Sequence, residues 1–176
     1  MTRARGKKEL RGSTEPDSTP TATQVDAYPG FLKLCRLSRI DTVAAELGRR
    51  HLNAPLGPLP EVTAVPSFAL RVRKPQPPPL GGAAFLVDAV VTWGASAEAC
   101  LQGDVASTAD AEAYISLTLR VLYDFPDLPS APDAALVERL GNEAAVHHAW
   151  PFVRERLLTM STSLGLAPFV LPLRHR

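Results

Sequence analysis

The sequence predicts a single α+β domain in which an antiparallel sheet precedes a long helix. Its 176 residues are enough for one domain. Between residues 67 and 125, apolar and polar side chains alternate, which is typical of half-buried strands. From about residue 133 onward, apolar residues recur every three or four positions, as on one face of a helix. Strands followed by helices, rather than alternating with them, indicate the α+β class.

Composition and charge narrow the function classes. Hydrophobic residues make up 45% of the chain and charged residues 21%, with a formal net charge of +1, so there is no global attraction to nucleic acid or membranes. The sequence contains neither a secretory signal pattern nor an apolar run of membrane-spanning length, so we expect a cytoplasmic protein. Cys35 and Cys100 are expected to be reduced thiols, although the sequence leaves a bridge between them open.

The N-terminal part is the least regular. Residues 1–25 are basic and polar, with almost no large apolar side chain, and are predicted to form a disordered tail before a domain spanning residues 26–176. Pro29-Gly30 marks the entry to that domain, and residues 31–37 fit one or two helical turns. Residues 39–47 fit either a strand or a continuing helix. As a strand, they would place Arg39, Asp41, Val43, Ala45 and Leu47 on one face.

Three further strands come next. They are predicted over residues 67–73, 84–92 and 112–125, with proline-bearing connections at residues 53–66 and 74–82. The strand at 84–92 is apolar on both faces and is therefore expected to lie in the middle of the sheet. Two helices complete the domain, a short one over Ala134–Leu140 closed by Gly141 and a long one from Asn142 to about Leu164, ended by Gly165. Pro151 lies either near the first turn of the long helix or at a kink.

No motif for catalysis or phosphate binding is present. The adjacent histidines His147 and His148 point about 100° apart on a helix and cannot face one metal together. Cys35 with His147 could form a nucleophile and base only if the fold brought them together. Asp88, inside an apolar strand, is either a perturbed acid or a hydrogen-bonded carboxylate. We therefore predict no enzyme activity, no catalytic residue, no cofactor and no metal.

The last third of the chain resembles a known family. The run Ala149-Trp150-Pro151-Phe152-Val153-Arg154-Glu155-Arg156-Leu157 is similar to the aromatic-Pro-aromatic start of the long helix in SecB chaperones. The run Gly165-Leu166-Ala167-Pro168-Phe169-Val170-Leu171-Pro172 resembles the segment that comes after that helix in the same family. The match covers residues 149–172 most specifically and residues 108–148 more weakly. It is closer to the divergent actinobacterial SecB-like chaperones, some of them linked to toxin–antitoxin systems, than to the export chaperones.

The resemblance implies a four-stranded antiparallel sheet with a long helix packed on one face, assembled as a homotetramer, a dimer of dimers. It implies ATP-independent holding of unfolded or nascent polypeptides, either for export or for an antitoxin client. The alternative is a SecB-fold adaptor or assembly protein without chaperone activity. The residues that the resemblance assigns to a client-binding groove are Phe68, Leu70, Val72, Ala113, Ile115, Leu117, Phe169, Val170 and Leu171.

Two departures from the family pattern concern the SecA motor. The family's second C-terminal helix is expected to be absent, since the sequence ends at Arg176. In addition, Ser116 and Thr118 stand at outward positions of the fourth strand where export chaperones carry an acidic residue. Both departures count against docking on SecA and leave client holding as the predicted function.

Overall fold

The computed structural model describes residues 22–49, 62–74, 82–103, 109–128 and 132–171. Its elements, in chain order, are α1 (Ala22–Leu34), β1 (Arg36–Arg49), β2 (Pro66–Arg73), β3 (Gly82–Trp93), α2 (Ala97–Leu101), β4 (Ala113–Asp124), α3 (Ala134–Arg139), a π-helical segment (Leu140–Ala145) and α4 (Val146–Ser163). The predictions for residues 1–21, for most of the connection at 53–66 and for most of that at 74–82 lie outside the described residues.

The four strands form one antiparallel sheet in the order β1-β4-β3-β2. This confirms the predicted α+β class with a four-stranded sheet and a long helix on one face. The central position predicted for β3 is also confirmed, because β3 pairs with both β4 and β2. Up to Leu171, no helix follows α4 in the described part of the chain.

The main core lies between the sheet and α4. Alternate residues of β3 and β4, such as Val87 and Leu119, are buried beneath Val153 and Leu157 of α4. Burial of each such aliphatic side chain stabilises the fold by roughly 1.5–3 kcal/mol. The opposite face of the sheet carries a smaller cluster, in which α2 packs on β2 and β3. We call the side occupied by α4 the helix face and the other side the second face.

The face prediction for β1 is wrong because the strand is irregular. The pairing of β1 with β4 shifts between Leu37 and Arg39 and again between Thr42 and Ala44. A bulge inserts one residue and moves all the side chains beyond it to the other face. Asp41 therefore lies opposite Arg120 on the second face, whereas Leu47 lies opposite Ile115 on the helix face.

The helical boundary predicted at Gly141 is also wrong. Helical backbone runs without a break from Ala134 to Ser163, and Gly141 lies in the π-helical segment that joins α3 to α4. A Cβ atom on Gly141 would lie 2.5 Å from the ring of Phe85. Glycine at this position therefore allows the helix to approach the sheet closely and does not end a helix. Pro151 lies inside α4.

The first helix is longer than predicted. It begins at Ala22, inside the segment predicted as a tail, and it contains Pro29 rather than starting after it. Its buried Tyr28 donates a hydrogen bond to the carbonyl oxygen of Arg139, 3.3 Å away, and the guanidinium of Arg139 lies 4.1 Å from the centre of the Tyr28 ring. The Phe31 ring lies 5.6 Å from that of Phe125. These contacts fix α1 to the end of β4 and to α3.

Candidate functional site

The three β4 residues predicted to line a groove lie in the core. Ala113, Ile115 and Leu117 are at most 1% exposed, because they belong to the layer of the sheet that α4 covers. A guest polypeptide can reach them only if α4 moves away from the sheet. In the folded arrangement they stabilise the domain, and their role in client binding stays a prediction.

The segment after α4 folds back onto the domain. Gly165 ends the helix with a φ of +66°, a left-handed conformation that glycine adopts without strain. The buried Ser161 hydroxyl accepts a hydrogen bond of 3.0 Å from the backbone N–H of Phe169 and donates one of 2.9 Å to the carbonyl of Leu158. This hydroxyl therefore ties the returning chain to the end of the helix.

The returning segment closes an aromatic cluster at the β2 side of the sheet. The Phe169 ring lies 6.4 Å from the Phe68 ring and 6.0 Å from the Trp93 ring, and Trp150 lies 6.0 Å from Phe68 in an edge-to-face arrangement. The structure thus brings together the predicted site residues Phe68 and Phe169. It also shows that the protein's own rings fill the space between β2 and the returning segment.

The remaining predicted site residues differ in exposure. Leu70 and Val72 are half-buried against the core, and Leu171 is buried. Val170 is 56% exposed. Of the predicted set, Val170 therefore offers the most accessible apolar side chain.

A second apolar surface, on β1, was not predicted. Leu37, Val43 and Leu47 are 43%, 53% and 43% exposed, and we call these three residues the β1 strip. Leu37 lies opposite Tyr123 and Leu47 opposite Ile115, so both stand on the helix face of the sheet. On α4, Phe152 is also 45% exposed. The sequence signal for this strip was the apolar content of β1, but it could not be used until the fold showed that α4 leaves this strand open.

The position of β1 adds hydrogen-bonding capacity to its apolar side chains. Among the described strands, β1 pairs only with β4 and is therefore an edge of the sheet. An edge strand presents backbone N–H and C=O groups that can pair with another extended chain. The strip and the edge together offer apolar side chains and backbone partners side by side.

The second face carries two carboxylates, and each of them interacts with two arginines. Asp88 is buried and accepts two hydrogen bonds from Arg73, at 2.5 and 3.0 Å, and one of 2.8 Å from Thr118. Burial alone would raise the pKa of Asp88, but these hydrogen bonds and the nearby Arg71 outweigh it and lower the pKa. Asp88 is thus the hydrogen-bonded carboxylate of the two alternatives, and it stays ionised at neutral pH. Its low pKa argues against a role as a general acid.

Asp41 is the second carboxylate that interacts with two arginines. Its carboxylate accepts a hydrogen bond of 2.5 Å from Arg39 on its own strand and one of 3.2 Å from Arg120 on β4. Desolvation alone would raise the pKa of Asp41, but these two bonds outweigh it and lower the pKa. Each of the two carboxylates therefore has two arginines beside it.

The residues considered for chemistry have structural partners. Burial raises the pKa of the Cys35 thiol to about 11, so this thiol stays protonated at neutral pH, unlike an activated nucleophile. Its Sγ donates to the carbonyl of Phe31 at 3.2 Å, and Cys35 and Cys100 do not form a disulfide. His148 Nδ1 lies 2.7 Å from the hydroxyl of Tyr123. In the described ranges, no three potential ligand side chains are grouped closely enough to hold a metal ion.

Comparison with known proteins supports one fold. No family model and no curated protein matches the sequence. Among solved structures, the fold is similar to that of a SecB-like chaperone from Mycobacterium tuberculosis, solved in complex with a ChAD peptide from an antitoxin. The match has a TM-score of 0.57 and 14% identity, and covers 88% of this chain and 100% of the other. The chain therefore has a SecB-like α+β fold. None of the described helices is long and apolar enough to cross a membrane.

Proposed function

We propose that the protein is an ATP-independent chaperone that holds unfolded or nascent polypeptides in the cytoplasm. The observation that carries this proposal is the open apolar strip of Leu37, Val43 and Leu47 on an edge strand. The fold similarity to a chaperone solved with a bound peptide supports it. The proposal requires no nucleotide or metal.

The physical argument rests on low selectivity. Unfolded chains share apolar side chains and an unpaired backbone but no common sequence. The β1 strip can bury the apolar side chains of a guest at about 25 cal/mol per Å², whatever their order along the guest chain. Such a surface binds many guests weakly and needs no fixed recognition code.

Self-association of the protein would enlarge the apolar surface of the β1 strip. We propose that two copies pair through their β1 edges and that two such dimers form the predicted homotetramer. Pairing of the edges satisfies the backbone of β1, while Leu37 and Leu47 remain on the helix face of the joined sheet. A two-fold axis perpendicular to the sheet would then place the two strips on one continuous face.

The direct test is suppression of client aggregation. Without ATP, the protein at several-fold molar excess should reduce light scattering by a chemically denatured client enzyme. The variant Leu37→Ser/Leu47→Ser should lose most of this effect, because it removes apolar side chains that are each 43% exposed. A matched control is Leu32→Ser/Leu34→Ser on α1, where each leucine is 37% exposed. This control should keep full holding activity.

The outcomes separate chaperone from adaptor. If the unaltered protein leaves light scattering unchanged at every ratio, the holding function is wrong and a SecB-fold adaptor without chaperone activity takes its place. If both double variants lose activity equally, the β1 strip has no special role. The assembly is tested separately by measuring the molar mass of the unaltered protein in solution by static light scattering. The mass of a monomer would contradict the tetramer.

The class of client is a finer proposal. The antitoxin peptide bound by the similar chaperone supports a dedicated antitoxin client over general export. In an experiment, an antitoxin encoded beside this protein should be soluble when the two are co-expressed and should aggregate when expressed alone. Equal solubility with and without the protein would contradict a dedicated client.

A further inference from the structure

The second face of the sheet carries a cluster of arginines away from the proposed client surface. Besides Arg36 at one end, four arginines from three strands stand on this face: Arg39 on β1, Arg120 on β4, and Arg71 and Arg73 on β2. Their side chains are between 46% and 67% exposed, with Arg39 the most open. None of the four lies on the helix face, so this cluster plays no part in the β1 strip.

The register places these arginines around a small apolar centre. Leu86 on β3 lies directly opposite both Arg120 and Arg73, and Ala84 lies opposite Leu122, which in turn faces Arg39. Neighbouring strands are about 4.8 Å apart, so Arg120 and Arg73 lie on the two sides of Leu86 within roughly 10 Å of each other. Leu86 and Leu122 are only half-buried. We call the four arginines with Leu86 and Leu122 the arginine platform.

The charge of the platform is unbalanced. The four guanidiniums share two carboxylates, those of Asp41 and Asp88. At one end of the same face, Arg36 lies opposite Asp124 and forms an ion pair of 3.2 Å with Asp127, so this end carries one net negative charge. Glu46 lies toward the other end of β1, opposite Ser116. The platform therefore holds more positive than negative charge, although the whole chain is nearly neutral.

The carboxylates also orient the arginines. Arg73 binds Asp88 through Nε and one terminal nitrogen, and Arg39 binds Asp41 through Nε, so the rest of each guanidinium keeps N–H donors for other partners. A guanidinium held by one carboxylate loses less conformational entropy when it binds a second one. Such fixed forks suit carboxylate groups, which accept two parallel hydrogen bonds.

We infer that the arginine platform is a docking site for an extended acidic segment of a partner protein, in which carboxylates alternate with apolar side chains. Carboxylates of such a segment pair with the guanidiniums at the rim, and its apolar side chains cover Leu86 and Leu122. The apolar centre favours a peptide over a nucleic acid, whose phosphates would leave it uncovered. The site lies on the opposite face from Leu37 and Leu47 of the β1 strip, so a partner can dock while a guest polypeptide is held.

The test uses fluorescence anisotropy with a short labelled peptide in which glutamate alternates with leucine. The full chain should bind this peptide more tightly than the same peptide with glutamine in place of glutamate. Added salt should weaken the binding, because surface charge pairs are screened within about 10 Å at 0.1 M. A labelled single-stranded oligonucleotide serves as the competing class of ligand.

The variant Arg71→Gln/Arg120→Gln removes one arginine from each shared carboxylate. Arg73 still bonds Asp88 and Arg39 still bonds Asp41, so neither carboxylate loses its closest partner. We expect roughly tenfold weaker binding of the acidic peptide, for a loss of about 0.7 kcal/mol per rim charge. Arg154→Gln/Arg156→Gln on α4 makes the same change in net charge and should bind the peptide as the unaltered protein does.

Several results would overturn the inference. Equal binding of the glutamine peptide, equal weakening by the α4 control, or no weakening by Arg71→Gln/Arg120→Gln would each remove the platform as a site for acidic segments. Tighter, platform-dependent binding of the oligonucleotide would make it a nucleic-acid surface instead. The aggregation assay keeps the two proposals separate, since Arg71→Gln/Arg120→Gln should hold clients as well as the unaltered protein.

Discussion

Leu117 and Leu47 lie on the same face of the same sheet, on neighbouring strands, yet they meet different surroundings. Leu117 is fully buried beneath the helical layer, whereas Leu47 is 43% exposed. Both are leucines in strands with apolar neighbours, so residue type does not distinguish them. The difference comes from α4, which covers β3 and β4 and leaves β1 open. Apolar side chains are buried in the core where α4 lies and are partly exposed to solvent where it does not.

The largest expected effect comes from truncating a leucine on each side of this boundary. Leu117→Ala should lower the free energy of unfolding by about 2–5 kcal/mol, because it leaves a cavity in a close-packed core. Leu47→Ala should lower it by less than about 1 kcal/mol, since much of that side chain is already in water. Urea denaturation followed by circular dichroism measures both values. Comparable losses for the two variants would contradict the distinction between a covered and an open half.

The next effect concerns how closely α4 and its π-helical extension approach the sheet. Gly141→Ala would bring a Cβ atom to 2.5 Å from the Phe85 ring, which is itself buried and cannot swing away freely. We expect the free energy of unfolding to fall by about 1–3 kcal/mol, the typical cost of overpacking a core. Thermal unfolding measures the change. A neutral or stabilising result would mean that the helical layer can move away from β3.

The covered half of the domain was largely predictable from sequence. The alternation in β2, β3 and β4 is regular, so their faces could be assigned directly from a period of two, and the apolar spacing of α4 identified its buried side. The short helix begins at Ala134 as predicted, and Asp133 directly before it caps α3, because its side chain accepts a hydrogen bond of 3.0 Å from the N–H of Ala135.

The open half and two features of the covered half were not predictable, for physical reasons. Two register shifts in β1 break the alternation of its side chains, so a period of two cannot assign the faces of this strand. From sequence alone, a glycine that ends a helix cannot be distinguished from one that allows a close contact, as Gly141 does with Phe85. Whether Ile115 lines a groove or a core depends on where α4 lies, which is a property of the tertiary structure. The sequence therefore predicted that the site is apolar, but it identified only some of the apolar residues that are exposed.

A smaller effect distinguishes the second face from the helix face through pH. The folded-state pKa of Asp88 is lowered, so its contribution to stability is present above its unfolded pKa, near 3.8, and is lost as the pH falls through the folded value. Asp88→Asn should lower the free energy of unfolding by about 1–2 kcal/mol at neutral pH and should flatten its dependence on pH below about 4. Urea denaturation at a series of pH values measures both changes.

The control for this substitution is Asp124→Asn, which removes an exposed carboxylate from β4 on the same face. That variant should change the free energy of unfolding at neutral pH by no more than about 0.5 kcal/mol, as is usual for a surface substitution. If the free energy of unfolding of Asp88→Asn falls with decreasing pH as steeply as that of the unaltered protein, the buried pairing with Arg73 contributes nothing to folding.

The smallest expected effect is an increase in stability rather than a loss, and it comes from replacing a glycine in α1. Gly30 lies inside α1, and a Cβ atom added there meets nothing within 4 Å. Alanine favours helix over glycine by about 0.5–1 kcal/mol, mainly by reducing the freedom of the unfolded chain. Since Tyr28 and Phe31 bury α1 against the domain, stabilising the helix should stabilise the whole fold. Gly30→Ala should therefore raise the midpoint of thermal unfolding by a few degrees. An unchanged midpoint would show that α1 can separate from the core without unfolding it.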